Sequence, residues 1–349
     1  MSMRVLVTGH RGYLGSVMTP VLVDAGFEVI GVDTDYYAQC TLVEDRDNVP
    51  TLRKDIRDLS TDDVGGFDAV IHLAALSNDP LGNLNPRWTD EINSQASVRV
   101  AQLAKAAGAR RFLLSSSCIM YGMSEAAVVT ENSPLDPKTE YARSKVKSEQ
   151  AIAALASEGF SPTFLRNGTI YGLSPRMRFD TVLNNLMGSA VTTGQVILYS
   201  DGTPWRPVVH IQDVARAFLH VLQAPIERVH NQAFNTGEDG MNHQMLELAE
   251  TVVRLVPGCQ LTCLASPEAD QRTYKTDFGK FARTFPEFQF RWTVEDGARE
   301  LYEALRAIGL THEQFIDRRF TRVKWLRYLL DSGRLDASLR WCEHEALRR

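Results

Sequence analysis

Two side chains four residues apart have the spacing and the chemistry to move a proton. Tyr141 and Lys145 open the stretch EYARSKVKSEQAIAALA, which is typical of a helix, so both side chains lie on one helical face. An ammonium group beside a tyrosine hydroxyl stabilises the phenolate and lowers the tyrosine pKa from about 10. We therefore expect Tyr141 to take a proton from a substrate alcohol. Because a Tyr-x-x-x-Lys pair is common on helix surfaces, this interpretation depends on the elements around it.

A glycine-rich turn near the start of the chain predicts a nucleotide site. VTGHRGYLG places Gly9, Gly12 and Gly15 between a strand and a helix, where glycine allows a tight turn and close approach to a phosphate. Asp33 ends the next strand at the expected separation of ~20 residues, and its carboxylate suits an adenosine ribose and repels a 2′-phosphate. We therefore predict NAD as the cofactor. Arg11 leaves NADP possible, because a guanidinium in this loop can bind a 2′-phosphate.

The elements that must position these residues alternate along the first half of the chain. MRVLVTG, FEVIGVD, DAVIHLAA and RRFLLSSS are typical of strands, and helical stretches separate them. Continuous apolar strands separated by helices predict an α/β fold with a doubly wound parallel sheet of the Rossmann type. In such a sheet the glycine-rich turn and the strand end SSS lie at the same edge.

The pattern loosens in the second half, where Pro/Gly-rich loops such as YSDGTPWRP appear. We predict an NAD-binding Rossmann domain over residues 1–172, rejoined by about 206–236. A smaller α/β substrate-binding lobe then comprises residues 173–205 and 237–310. Residues 311–349 are predicted to form a helical, basic C-terminal extension. We favour a solvated helix packed on the second lobe, with a dimer contact or a lid over an anionic ligand as alternatives.

Taken together, TGHRGYLG with Asp33, a strand ending in SSS with YG close behind, and YARSK resemble the extended short-chain dehydrogenase/reductase family of nucleotide-sugar epimerases and dehydratases. The resemblance covers roughly residues 3 to 305. It implies that Tyr141 is the acid/base and that Lys145 holds the nicotinamide ribose and tunes Tyr141. It also implies that Ser117 forms a hydrogen bond with the reacting sugar oxygen.

Several strand ends are expected to contribute further cofactor contacts. Asp55 is placed to meet the adenine amine, and Ser115 is expected near the cofactor. The residues that we expect to hold the cofactor are Gly9, Arg11, Gly12, Tyr13, Leu14, Gly15, Asp33, Asp55, Ile56, Leu73, Ala74, Ala75, Asn93, Ser115, Tyr141, Lys145 and Asn167.

The second lobe resembles the part of the family that binds a nucleoside-diphosphate sugar. SDGTPWRPVVHIQDVARA and DQRTYKTDFGKF match stretches whose arginines bind the substrate diphosphate, here Arg206 and Arg272. Two separated arginines suit a diphosphate, which accepts bidentate guanidinium contacts. LRNGTIYG departs from the family's usual LRxxNxYG, because Thr169 stands where Asn is expected. The residues that we expect to bind the substrate are Ser77, Ser117, Cys118, Tyr141, Thr169, Arg206 and Arg272.

The two residues after Ser117 bear on the reaction. The family's 4,6-dehydratases need a carboxylic acid and a carboxylate there, and its uronate decarboxylases carry a Glu in this segment, whereas this chain has Cys118 and Ile119. Isoleucine cannot move a proton, and a thiol with a pKa of about 8.5 is a poor replacement for the acid. We expect Cys118 to line the sugar pocket as a small wall.

Within the family, the favoured hypothesis is an NAD-dependent 4-epimerase that acts through a transient 4-keto sugar. Asp33 favours retained NAD and so favours this reaction. An NAD(P)H-dependent reductase of NDP-4-keto sugars is the alternative. A dehydratase is less favoured, as is a non-catalytic NAD-sensing protein, which would need neither Tyr141 nor Lys145.

The composition argues against several other classes. The 349 residues carry a net charge of −5 and are 44% hydrophobic, which is typical of a globular protein and not of a nucleic-acid or membrane-surface binder. No apolar stretch approaches the roughly 20 residues that cross a bilayer, and MSMRVLVTGH has no signal-peptide pattern. The five cysteines form no CxxC pair. We expect a cytoplasmic protein with no metal site and, by analogy, a homodimer paired through residues 91–107 and 141–157.

Overall fold

A seven-stranded parallel sheet forms the centre of the molecule. The computed structural model describes residues 2–45, 49–123, 128–264 and 273–342. Its strands are β1 (Arg4–Thr8), β2 (Glu28–Asp33), β3 (Thr51–Arg53), β4 (Ala69–His72), β5 (Arg111–Ser117), β6 (Ser161–Asn167), β7 (Thr169–Tyr171), β8 (Gln195–Leu198), β9 (Trp205–His210), β10 (Gln232–Thr236), β11 (Asn242–Gln244) and β12 (Gln260–Cys263). The central sheet has the order β10-β6-β5-β4-β1-β2-β3, with every neighbouring pair parallel. This confirms the predicted α/β fold with a doubly wound parallel sheet.

The strand order explains where a ligand can bind. β1, β2, β4 and β5 lie where the sequence predicts strands, and every residue of β4 and β6 is buried because helices cover both faces of the sheet. The direction in which strands are added reverses between β1 and β4. At such a switch point the connecting loops diverge and leave a crevice at the carboxyl ends of the strands.

Helices surround the sheet and continue into the second half of the chain. They are α1 (Gly15–Asp24), α2 (Asp79–Gly82), α3 (Pro86–Thr89), α4 (Ser97–Ala106), α5 (Glu140–Ala153), α6 (Val182–Thr193), α7 (Ile211–Gln223), α8 (Ile226–Val229), α9 (Met245–Leu255), α10 (Gly279–Thr284), α11 (Val294–Ala307), α12 (His312–Ile316) and α13 (Arg322–Asp331). A π-helical segment, Asp90–Ala96, joins α3 to α4. Thr139 begins α5, because its hydroxyl accepts a hydrogen bond from the amide of Ala142.

A second region contains two small sheets, of order β11-β9-β7 and β12-β8, together with α6, α9 and α11. The predicted return of the chain to the first domain over about residues 206–236 stays a prediction, and the structure divides these residues between the two regions. β9 stays in the small sheet because β10 occupies the free edge of β6. The chain rejoins the central layer with α7, which packs on α1, and then with β10. The domain boundaries themselves remain a prediction.

The C-terminal extension packs differently from the favoured expectation. α12 contacts α6 of the second region, but α13 buries Trp325, Leu326 and Leu329 in the hydrophobic cluster of the central sheet. The indole of Trp325 donates a hydrogen bond to the carbonyl of Tyr36, directly after β2. The extension is also only partly helical, because α13 ends at Asp331. Of the predicted extension, residues 343–349 lie outside the described residues.

Among the described residues, no helix has the length and apolarity that crossing a bilayer requires. The same residues contain no group of three or more His, Cys, Asp or Glu side chains arranged to hold a metal ion. Pairing through the helices at 91–107 and 141–157 remains a prediction.

Candidate active site

A cavity of about 420 Å³ opens at the carboxyl ends of the central strands, and the second region supplies its other wall. Most of the predicted cofactor residues line it, namely Gly9, Gly12, Tyr13, Leu14, Gly15, Asp33, Asp55, Ile56, Leu73, Ala74, Ala75, Ser115, Tyr141, Lys145 and Asn167. The predicted substrate residues that line it are Ser77, Ser117, Tyr141, Thr169 and Arg206. Arg11, Asn93 and Cys118 are not among the lining residues, and Arg272 lies outside the described residues.

The glycine-rich turn, here called the glycine cradle, packs too closely against neighbouring backbone to accept side chains at Gly9 and Gly15. A Cβ atom on Gly15 would lie 2.3 Å from the carbonyl oxygen of Gly9, and one on Gly9 would lie 2.7 Å from the amide of Ala74. Gly9 also has a φ of 73°, in the left-handed region that favours glycine. Glycine at these positions allows the turn to pack closely, and the turn at the N-terminus of α1 lines the cavity, where a dinucleotide phosphate can bind.

Asp33 lies at the other end of this cradle. Its carboxylate accepts hydrogen bonds from the amides of Arg11 and Asp35, at 3.0 and 2.8 Å. Burial raises the pKa of Asp33, and these amides oppose the shift. The carboxylate is thus held by the backbone while it lines the cavity, which suits the two hydroxyls of a ribose.

Two predicted cofactor residues have protein partners instead. The guanidinium of Arg11 forms an ion pair with Asp35 at 2.8 Å, which engages the group that could otherwise bind a 2′-phosphate. The amide of Asn93 bonds both the N–H and the C=O of Leu76, at 2.7 and 3.1 Å, and donates to Ser144 on α5. Asn93 therefore fixes the loop after β4 against α5, and its side chain is buried outside the cavity.

The electrostatics of Tyr141 differ from expectation. Its pKa is raised to about 12, first by burial and then by the charge of Asp79, while Arg178 and a side-chain hydrogen bond with Ser117 act in the opposite direction. The protein by itself therefore keeps Tyr141 protonated. The sequence does not reveal this because the phenol's burial arises from the tertiary fold.

Lys145 lies beside Tyr141 as the helical spacing predicts, with Nζ 5.7 Å from the tyrosine ring centre. The ammonium donates a hydrogen bond of 2.7 Å to the carbonyl of Ser115, which fixes it against β5. Burial lowers the pKa of Lys145 to about 8. At neutral pH the ammonium is still charged, and it lines the cavity next to the phenol.

Asn167, at the end of β6, completes this wall. Its Nδ2 donates to the hydroxyl of Ser115 at 3.2 Å, whereas its Oδ1 is buried and has no hydrogen-bond partner among the described residues. A buried acceptor without a partner costs free energy unless a ligand supplies the donor. This atom is therefore a candidate ligand contact.

Cys118 does not form the expected wall of the pocket. The strand ends at Ser117 and a 3₁₀ turn, Cys118–Tyr121, carries the thiol to the back of β5. There Sγ donates to the carbonyl of Arg166 at 3.1 Å, and burial raises the thiol pKa to about 12. Ile119, the second residue after the serines, lines the cavity instead.

Sequence reasoning missed several polar residues of the cavity wall. Arg178, Asp180 and Thr181 follow β7, Asp79 begins α2, and Arg322 begins α13. The basic stretch SPRMRFD carried a signal for Arg178 and Asp180, because charged residues in a loop between two lobes are candidates for ligand contact. No motif singled out Arg322, which is 144 residues further along the chain than Arg178; the sequence offered only the general alternative of a basic extension that covers an anionic ligand.

Comparison with known proteins gives the context for this geometry. Residues 5–237 match a family model described as the NAD dependent epimerase/dehydratase family. A UDP-glucose 4-epimerase of Corynebacterium glutamicum is 28% identical over 274 residues, which are 72% of this chain and 80% of that protein. The structure of MoeE5 in complex with UDP-glucuronic acid and NAD is 26% identical with a TM-score of 0.75, covering 87% of this chain and 99% of that one.

A third similar protein carries out another reaction. DesIV, a dTDP-glucose 4,6-dehydratase from Streptomyces venezuelae with NAD and TYD bound, is 26% identical with a TM-score of 0.76, covering 87% of this chain and 97% of that one. Similar chains thus include an epimerase and a dehydratase. The residues of the cavity must therefore discriminate between reactions.

Proposed function

Because the chain belongs to the NAD dependent epimerase/dehydratase family, we propose that it is a nucleotide-sugar 4-epimerase, which inverts C4 of a nucleoside-diphosphate sugar. The family match confirms the resemblance noted in the sequence and the prediction of NAD as cofactor. The glycine cradle and the backbone-held carboxylate of Asp33 fit that cofactor. The reaction and the substrate are the proposed part.

The observation that carries the proposal is the pair of residues after Ser117. The thiol of Cys118 is buried behind β5 with its pKa raised, and Ile119 contributes only an apolar side chain to the cavity. Expulsion of water from C5 and C6 needs an additional acid and base at this place. Their absence from these two positions favours a reaction that needs one acid/base at C4.

The carboxylates that do line the cavity among the described residues have other partners. Asp33 is held by backbone amides, Asp55 pairs with Arg57, Asp180 pairs with Arg178, and Asp79 accepts a hydrogen bond from Thr139. Asp79 is the one whose charge affects Tyr141. It supports protonated Tyr141, because a nearby negative charge opposes formation of the phenolate.

When bound, NAD supplies reversible oxidation of the sugar at C4. Tyr141 handles the proton of the C4 hydroxyl: its phenolate oxygen accepts that proton when C4 is oxidised, and the phenol so formed returns it when C4 is reduced. Ser117, bonded to Tyr141, orients the phenol and the sugar oxygen together. The ammonium of Lys145 supports this exchange because it favours the phenolate electrostatically while the carbonyl of Ser115 holds it in place.

Inversion at C4 requires that the sugar ring can turn in the cavity, so that either face of C4 can meet the cofactor. The second-region wall, with Thr169 and Arg206, is where we place the nucleoside diphosphate. Arg206 is buried on β9, and its Nη1 donates to the carbonyl of Trp205. A diphosphate fixed there leaves the sugar ring free to turn in the cavity while Tyr141 stays in place.

The experiment is to incubate the purified protein with single NDP-sugars and separate the products by chromatography. We expect interconversion of C4 epimers at unchanged mass, with no net change in nicotinamide absorbance and with NAD released when the protein is denatured. Tyr141→Phe protein, purified in parallel, is the control for contaminating host epimerase.

Other outcomes identify other reactions. Steady consumption of NADH or NADPH with a 4-keto sugar contradicts epimerisation and supports the reductase. A product lighter by one water contradicts epimerisation and supports a dehydratase. A product lighter by one carbon dioxide contradicts epimerisation and supports a decarboxylase.

A further inference from the structure

The cavity has a basic wall that no step of the proposed reaction uses. It is formed where the C-terminal extension meets the loop after β7, and its main members are Arg322 and Arg178. Arg322 is the first residue of α13 and lies beyond residues 5–237, which match the family model. A buried arginine from the far end of the chain thus lines the cavity.

The guanidinium of Arg322 is only partly satisfied by protein atoms. Its side chain is 2% exposed, and Nη2 donates to the carbonyl of Arg176 at 2.7 Å. The guanidinium also lies 4.2 Å from the ring centre of Tyr37. Nη1 is buried and has no hydrogen-bond partner among the described residues. A buried cationic donor without a partner is costly, so the arrangement indicates a missing anionic acceptor.

The charges of this wall do not balance. Arg178 forms an ion pair with Asp180 at 2.8 Å, while Arg322 binds Asp180 only through its backbone amide, at 3.1 Å. Within the described part of the chain, the Arg322 guanidinium forms no ion pair. Burial and the nearby charge of Arg178 lower the pKa of Arg322. One buried positive charge is therefore left for a ligand to neutralise.

The position of the wall tells which part of a ligand it faces. Arg322 packs on Tyr37, four residues after Asp33, and Arg178 lies 6.0 Å from the ring centre of Tyr13 in the glycine-rich turn. The two guanidinium groups thus flank the interval between the ribose carboxylate and the phosphate cradle. In a bound dinucleotide the diphosphate occupies this interval.

We propose that Arg322, with Arg178 beside it, binds the diphosphate of the dinucleotide, so that the C-terminal extension forms the outer wall of the cofactor cleft. A guanidinium presents parallel donors that suit phosphate oxygens, and the N-terminus of α1 offers amides from the opposite side. The nucleotide sugar also carries a diphosphate, and Arg206 on the second-region wall is where we place that one.

The extension is anchored where this role requires it. The indoles of Trp325 and Trp341 donate to the carbonyls of Tyr36 and Thr34, each at 2.7 Å, and the hydroxyl of Tyr36 donates to the carbonyl of Leu339. These bonds hold the segment after Asp33 and the extension together. Arg322 is therefore fixed relative to the ribose end of the cleft before any ligand binds.

Calorimetric titration tests the proposal. Nucleotides are added to full-length protein from which bound nucleotide has been removed. For Arg322→Gln we expect NAD and ADP to bind about 10- to 100-fold more weakly, the range for losing a charge-assisted hydrogen bond. Adenosine, which has no phosphate, should bind equally to both proteins. Arg327→Gln is the matched control, because Arg327 is an exposed arginine on the same helix. It should bind NAD and ADP as the unaltered protein does.

Three results would overturn the proposal. Unchanged affinity for ADP would make Arg322 a structural residue, and an equal loss for adenosine and ADP would indicate damage to the cleft. A selective loss for UDP, titrated separately, would assign the arginine to the substrate.

If Arg322→Gln does not fold, the test uses Arg322→Lys, which keeps the charge and loses the paired donors. The quantity compared is again the ratio of the affinities for ADP and adenosine. We expect a smaller loss of ADP affinity for it, and an unchanged ratio would overturn the proposal. None of these titrations involves sugar turnover, so failure of the proposed epimerase activity would leave their outcome unaffected.

Discussion

The two sides of β5 use the same residue types in opposite ways. Side chains alternate along the strand, so Ser115 and Ser117 are partly exposed, whereas Ser116 is buried and its hydroxyl donates to Glu149 behind the strand. Each side also has a tyrosine and a buried cationic side chain on neighbouring elements. What distinguishes the two sides is how completely protein atoms satisfy their polar groups.

The back of β5 is saturated. Glu149 accepts hydrogen bonds from the hydroxyl of Ser116 and from the guanidinium of Arg166. Arg166 also donates to the hydroxyl of Tyr121 at 2.9 Å, and that hydroxyl donates to Asn235 at 2.7 Å. A buried network in which each member has partners fixes the structure and leaves nothing for a ligand.

The cavity side is left incomplete. Oδ1 of Asn167 and Nη1 of Arg322 are buried without partners among the described residues, and the pKa values of Tyr141 and Lys145 are both displaced toward the neutral forms. Residue type alone does not distinguish Tyr141, the proposed acid/base, from Tyr121 behind the strand. The two tyrosines differ in whether the polar groups around them have protein partners.

The largest expected effect comes from exchanging hydroxyl for hydrogen on the two tyrosines. Tyr141→Phe should lower turnover by about 10²- to 10⁴-fold, because it removes the acid/base, while NAD content and melting temperature stay unchanged. Tyr121→Phe should do the reverse, with turnover kept and the free energy of unfolding lowered by about 1–3 kcal/mol. Steady-state kinetics and urea unfolding measure both, and an active Tyr141→Phe enzyme would remove the acid/base assignment.

The next effect is on stability alone. Glu149→Gln should lower the free energy of unfolding by about 3–5 kcal/mol, because it leaves the buried Arg166 without its counter-charge. Glu140→Gln on the same helix is the control. Its partner Arg143 is part-exposed, so we expect a change within about 0.5 kcal/mol. Similar losses for the two variants would contradict a saturated back side.

A smaller effect should appear as a dependence on pH. The pKa of Lys145 is about 8 in the folded protein, against an ordinary lysine value of 10.5, so between these values the unfolded chain binds more protons. The free energy of unfolding of nucleotide-free protein should therefore rise with pH in this window, relative to Lys145→Met, by about 1 kcal/mol per pH unit. Urea unfolding across that pH range measures it. If the difference in unfolding free energy between the two proteins does not vary with pH, burial does not lower the pKa of Lys145.

The smallest effect is expected at Cys118. Cys118→Ala should leave turnover unchanged and lower the free energy of unfolding by about 1–2 kcal/mol, because the thiol packs behind β5 without facing the cavity. In the native protein an alkylating reagent should modify the exposed Cys263 and leave Cys118 intact. Loss of activity in Cys118→Ala would place this residue back at the sugar.

The sequence predicted the central sheet and the position of Lys145 beside Tyr141 well because both depend on local patterns. The apolar runs of β1, β2, β4 and β5, the glycine spacing and the four-residue step from Tyr141 to Lys145 are each encoded within a short stretch. Arg322 was missed because it reaches the cavity through packing of α13 on the segment after β2, where the Trp325 indole bonds Tyr36, 289 residues earlier in the chain. Cys118 was misplaced because adjacent side chains along β5 point to opposite sides, so the residue after Ser117 packs behind the strand, against the carbonyl of Arg166.

The bonds from Trp325 and Trp341 to the segment after β2 have a consequence for how the protein is made. They join residues separated by 289 and 307 positions, so these bonds can form only after nearly the whole chain has closed into a loop. A nascent chain can fold β1, α1 and β2 early. The loop after β2 can form its bonds to the extension only after residue 341 has left the ribosome. Synthesis thus delays completion of the cleft until the remainder of the fold is in place.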